Sequence, residues 1–307
     1  MPWISYDDVF LTHDTGHHPE CPDRLRVIRE HLRKVGLWDA NLRPAKRDAT
    51  VEELQLVHTP EHIERVRALS GGEGAFDSDT PLSKGSYAAA IRAVGAVLEA
   101  CDDVLAGKTP SAFCAVRPPG HHATPSRAMG FCLFSNVAIA ARYLEKKHGL
   151  KRIAIVDWDV HHGNGTQEAL YSDAGTFYLS LHRHPFYPGT GLAGETGSGP
   201  GKGFKMNVPL PYNTSREHYL STFQYSLEGR VADFKPQFIL ISAGFDTYKD
   251  DPIGGLNLEV EDYAKLTQIV AAVAKTHCGG KVVSSLEGGY NLTGLPLCVE
   301  QHFRALP

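Results

Sequence analysis

The chain has 307 residues, 42% of them hydrophobic and 21% charged, with a formal net charge of −4. That length suffices to bury one large core, while the balanced charge gives no electrostatic footprint for nucleic acid or an anionic membrane. No run approaches the ~20 apolar residues of a membrane span, and MPWISYDDVF at the start lacks a basic segment followed by an apolar one, so a cytoplasmic protein is expected.

In chain order, His17 and His18 precede PECPDRL, which reads as a helix start with Pro22 in its first turn. Apolar residues recur at helical spacing over 83–107, 135–149, 215–234 and 259–277. Between these lie strand-like runs at 111–116 (SAFCAV), 152–158 (RIAIVDW), 176–181 (TFYLSL), 238–243 (FILISA) and 281–287 (KVVSSLE). This alternation predicts an α/β fold, a mostly parallel central sheet covered by helices on both faces. No linker or repeat divides the chain, so a single domain over 1–307 is expected. His182 and His184 read as surface residues, and the six cysteines, with no C-x-x-C spacing, as reduced and mostly buried.

In a parallel sheet the working site lies outside the carboxyl ends of the strands. Polar punctuation clusters there: RPPGHHA (117–123), DWDVHHGNG (157–165), GFDTYKDDP (244–252) and EGGYNL (287–292). These stretches bring His121, His122, Asp157, Asp159, His161, Asn164, Asp246 and Tyr290 to one rim. Catalytic zinc commonly takes three protein ligands and keeps a fourth position open. Asp159 and His161, two apart on an extended segment, point to the same side, and Asp246 from another strand completes a set. Caps and turn formers are the bland alternative for any one such pair, but four loops ending this way favour the metal.

RPPGHHA, GFCLFSNVAIAA (130–141), VDWDVHHGNGTQ (156–167), SAGFD (242–246) and EGGYNL together resemble the signatures of the zinc-dependent histone deacetylases and acetylpolyamine amidohydrolases. The resemblance runs from about residue 17 to 292, and the tryptophan and asparagine of DWDVHHGNG look like the class II branch, including bacterial deacetylase-like amidohydrolases. It implies an arginase/deacetylase-like fold, one zinc held by Asp159, His161 and Asp246, and metal-assisted amide hydrolysis. His122 is then the expected general base and acid, His121 its electrostatic partner, Asp157 the carboxylate that orients His121, and Tyr290 the oxyanion donor. Class I relatives pair the second histidine with aspartate, and here Asn164 stands there, so a lower pKa is expected for His122.

The resemblance also implies a narrow channel with Phe131 as one aromatic wall. Either Tyr187 or Phe186 of FYPGTG forms the other; Gly130 allows close approach, and Asp79 is either a rim carboxylate or a solvated loop residue. Ile253 stands where polyamine-cleaving relatives carry a glutamate gate, which favours an acetylated lysine in a peptide or protein over an acetylated small molecule. A potassium ion near Asp157, Asp159, His161, Ser180 and Leu181 is implied as well. The rival readings are an acetylpolyamine amidohydrolase, an acyl-lysine binder without catalysis, which would need a defective metal set, and a dimanganese ureohydrolase, which would need more aspartate ligands. No nucleic-acid or membrane partner is expected, and oligomeric state is not legible.

Overall fold

The structure, a computed structural model, describes residues 1–72 and 74–307. Its strands in chain order are β1 (Trp3–Tyr6), β2 (Leu42–Pro44), β3 (Gly74–Ala75), β4 (Pro81–Leu82), β5 (Ser111–Cys114), β6 (Ile153–Asp157), β7 (Thr176–Arg183), β8 (Lys205–Leu210), β9 (Phe238–Ala243) and β10 (Val282–Leu286). β3 and β4 form a small antiparallel ribbon, and the other eight form one sheet of order β2-β1-β5-β10-β9-β6-β7-β8. Every neighbouring pair in that sheet is parallel.

Every residue of β5, β6, β9 and β10 is buried, as both-face coverage requires. Ser86–Leu105 packs on Asn136–His148 in one helical layer, while Asp262–Cys278, Leu295–Ala305 and Asp23–Lys34 pack together in the other. The helix Asn136–His148 ends where Gly149 takes up φ +69°, and Asp262–Cys278 ends at Gly279 with φ +65°, left-handed stops that glycine adopts without a Cβ clash.

Three sheet strands escape the sequence pattern. β2 and β8 are the edges: β2 is three residues long, ends at Pro44 and has no fully buried residue, and β8 carries Pro209 and is only half buried, so they read as loop. β1 is too short to carry a period. The predicted helix at 215–234 is a helix Arg216–Ser226, a π turn Leu227–Val231 and a final turn Ala232–Phe234. The third predicted strand runs on to Arg183, which takes His182 into the sheet, where it is fully buried; its expected surface position is corrected, because Nδ1 meets Ser180 Oγ at 2.9 Å and Nε2 meets Gly191 O at 2.9 Å.

Strand order explains why distant motifs meet. β5, β10, β9 and β6 are consecutive in the sheet, although the chain visits them first, last, third and second. The four polar stretches read from the sequence are the segments leaving the carboxyl ends of these four neighbours.

Candidate active site and metal centre

β6 ends at Asp157, in register with Ser242 of β9 and Ser180 of β7. The chain then bends, and Asp159 and His161 meet Asp246, which follows β9; one ligand atom from each lies within 4.8 Å of the others. His161 Nδ1 is 3.0 Å from Asp159 Oδ1 and 3.3 Å from Asp246 Oδ2. Backbone amides fix the carboxylates: Gly288 N donates to Asp159 Oδ2 at 2.8 Å, and Val160 N to Asp246 Oδ1 at 2.9 Å. A Cβ at Gly288 would collide with both carboxylates, which is why this approach requires glycine.

The electrostatics of this trio call for a cation. Burial followed by the charge of Asp159 pushes the Asp246 carboxyl up to about 7. Burial opposes ionisation of Asp159 too, but His121 and His161 outweigh it and hold this carboxyl well below the usual range. Burial disfavours the His161 imidazolium, yet Asp159 and Asp246 carry it up to about 9. Among the described residues no lysine or arginine pairs with Asp159 or Asp246, and Asp246 Oδ2 is buried without a hydrogen-bond partner. Two carboxylates and an imidazole with an unclaimed buried oxygen fit a divalent metal of the zinc type.

The tandem histidines follow β5. His121 Nδ1 lies 3.1 Å from Asp157 Oδ2, which also accepts from the Tyr178 hydroxyl at 2.9 Å. His122 Nδ1 lies 2.8 Å from Asn164 Oδ1, and the two imidazole rings are 4.0 Å apart. Burial works against the charged form of His121, but Asp159 and Asp157 raise its pKa to about 10. His122 is lowered well below its ordinary value, first by burial and then by His121 and His161, and the Asn164 bond only partly offsets this. The two neighbouring imidazoles are thus pushed in opposite directions.

Sequence reasoning missed Glu287, which it took as part of the punctuation before Tyr290. Its Oε2 accepts from Gly120 N at 2.7 Å and His121 N at 3.2 Å, and its Oε1 from Ser242 Oγ at 3.0 Å. It therefore fastens the histidine loop to β9 and β10, and the available signal was a glutamate directly after an apolar strand. Arg24 donates to Gly289 O at 2.7 Å and Glu287 O at 2.5 Å and lies 5.0 Å over the Tyr290 ring. Glu20 bridges Arg24 and Arg117 beneath this turn.

Gly289 has φ +115°, and the turn it makes sends Tyr290 into a cavity of about 230 Å³. His122 and His161 open into the same cavity, and Gly130, Phe131, Phe186, Tyr187, Ile253 and Asp79 complete its lining. Phe131 stands perpendicular to Tyr290 with centroids 5.8 Å apart. Both candidates for the opposite wall are present: Phe186 stacks on His161 at 5.1 Å, and Tyr187 meets His122 edge-on at 5.1 Å. His18 packs edge-on to Phe131 at 4.5 Å. Burial raises the Tyr290 phenol well above its ordinary pKa, so it stays a donor. Ser180 and Leu181 are buried in β7 beside the Asp157 end of β6.

The chain is similar to known proteins in sequence and fold. The family model described as the histone deacetylase domain matches residues 18–306. The chain is 40% identical over 296 residues to the probable deacetylase of Archaeoglobus fulgidus, covering 95% of this chain and 82% of that protein. It is 41% identical to histone deacetylase 15 of Arabidopsis thaliana, over 95% of this chain but 54% of that relative, and 37% identical to the histone deacetylase-like amidohydrolase of Pseudomonas aeruginosa, over 92% and 74%. The crystal structure of the HDA15 HD domain superposes with a TM-score of 0.93 at 39% identity, covering 99% of this chain and 88% of that one. With the motifs, the parallel sheet and the Asp-His-Asp trio in agreement, the chain belongs to the histone deacetylase family and is a deacetylase.

Proposed function

We propose that this deacetylase cleaves the acetyl-lysine amide of a peptide or protein, with one zinc ion held by Asp159, His161 and Asp246. A zinc ion supplies there a Lewis acid for the acyl oxygen and lowers the pKa of a water. His122, kept neutral by burial, takes a proton from the attacking water and returns one to the departing amine. His121, held by Asp157, is the fixed positive charge beside it. Tyr290 donates its phenolic hydrogen to the developing oxyanion. Phe131 faces Tyr187 and Phe186 across the lysine stem, Gly130 keeps the channel narrow, and Asp79 serves the rim. Ile253 in the lining offers no carboxylate to a polyamine cation. Potassium at Asp157, Asp159, His161, Ser180 and Leu181 steadies the turn that carries the zinc ligands, and the cytoplasm is its compartment; among the described residues no helix is long and apolar enough to cross a membrane.

The observation that carries this reading is the opening of His122, His161 and Tyr290 into one aromatic-walled cavity. Acetate release from an acetyl-lysine peptide and from acetylspermidine, measured in parallel on the zinc-loaded protein, tests it. Peptide cleavage that chelation abolishes is expected; a decisive preference for acetylspermidine replaces the substrate assignment with the polyamine reading.

A further inference from the structure

We propose that Arg183 is a positioning residue that sets the spacing between the Phe186 wall and the Ile253 gate, and through it the acyl groups the channel accepts; the inference rests on the deacetylase reading of that channel. Arg183 closes β7, and its backbone N donates at 2.8 Å to the carbonyl of Val160, the residue between the two zinc-ligand candidates Asp159 and His161. Its guanidinium carbon lies 3.9 Å over the Phe186 ring and 4.5 Å over the Tyr212 ring. His161, Phe186, Arg183 and Tyr212 thus form a continuous stack from the metal centre to an exposed tyrosine.

The same guanidinium donates from Nη1 to Gly254 O at 2.9 Å, beside the gate residue. Asp251 completes the link: its Oδ1 accepts from Ile253 N at 2.9 Å and Gly254 N at 3.1 Å, and its Oδ2 accepts from Tyr290 N at 2.7 Å. Wall, gate and oxyanion donor therefore hang on one planar cation and one buried carboxylate. Only a planar guanidinium offers faces to two rings and an edge to a carbonyl at once, and a lysine ammonium satisfies one of these demands.

Zinc-loaded wild type, Arg183→Lys, Arg183→Met and Tyr212→Ser are compared on acetyl-lysine and hexanoyl-lysine peptides, with zinc content measured on each. With Arg183→Met, KM for the acetyl peptide rises about tenfold, kcat changes less than about twofold, and the acetyl-to-hexanoyl ratio of kcat/KM falls about tenfold. Arg183→Lys shows a smaller change in the same direction and Tyr212→Ser the smallest. Equal loss on both peptides, or an unchanged ratio, overturns the proposal. Should Arg183→Met not fold, the ratio in Arg183→Lys decides. Should wild type cleave neither peptide, the deacetylase reading of the channel fails separately, and the crystal structure of Arg183→Lys decides this one: Phe186 and Gly254 displaced supports it, and both unmoved overturns it.

Discussion

In the proposed mechanism the chemistry turns on Tyr290 and His122, and each makes a distinct prediction. Tyr290→Phe removes a single oxyanion donor, so kcat falls about 10²- to 10³-fold while zinc content measured by mass spectrometry stays at wild-type level; a smaller loss removes the donor role. Asn164→Asp places a carboxylate 2.8 Å from His122 Nδ1 in place of an amide. A carboxylate favours the imidazolium, so the acid limb of the kcat/KM profile moves to higher pH by about one unit. An acid limb that does not move shows that Asn164 does not tune the base. Asp246→Asn keeps an acceptor for Val160 N but removes the charge and the unclaimed oxygen. Zinc stoichiometry is expected to drop from about one per chain to near zero after dialysis, and retained zinc rules Asp246 out as a ligand.

At the scale of elements, the site is a set of turns fastened to neighbouring strands, and Glu287 fastens the histidine loop by three hydrogen bonds. Glu287→Leu leaves the amides of Gly120 and His121 and the hydroxyl of Ser242 without their acceptor in a fully buried place. Each such group costs about 1–3 kcal/mol, so urea unfolding should show a loss of at least about 3 kcal/mol, with Glu287→Gln recovering most of it. Equal stability of Glu287→Leu and wild type would falsify this role. The central strands β5, β6, β7, β9 and β10 were legible because each is rich in apolar residues with few charges, as strands buried on two faces tend to be. The edge strands were not, because many of their residues are only partly buried or exposed and each contains a proline.

For the whole molecule, the buried ion cluster under the site links stability to pH. Burial alone would raise the pKa of Glu20, but Arg117 and Arg24 outweigh it and hold the carboxyl at about 2, below its ordinary 4.5. Because the folded value is the lower one, the contribution of about 3 kcal/mol is complete above pH ~4.5 and is lost as pH falls through ~2. Thermal unfolding of wild type and Glu20→Gln between pH 6 and pH 2 should therefore converge at the acid end, and a constant gap across that range refutes the linkage. The proposed zinc adds a second dependence: a ligand that binds only the folded chain stabilises it by mass action, so chelation is expected to lower Tm and zinc to restore it.

By itself the sequence determined the alternation of strand and helix, the residue types at the strand ends and the family resemblance, because apolar periodicity and motif spacing are local properties of the chain. Asp79, Gly130, Phe131, Phe186, Tyr187 and Ile253 line one cavity, and Asp159, His161 and Asp246 lie together beside it. Tertiary structure alone decided that β5, β10, β9 and β6 stand side by side, which brings loops from residues 117 to 292 to one rim. It also decided that Phe186 and Tyr187 share the wall, that His182 is buried in an extended β7, and that Glu287 and Arg183 brace the site. These outcomes depend on which strands become neighbours and which side chains meet across turns, and local periodicity specifies neither.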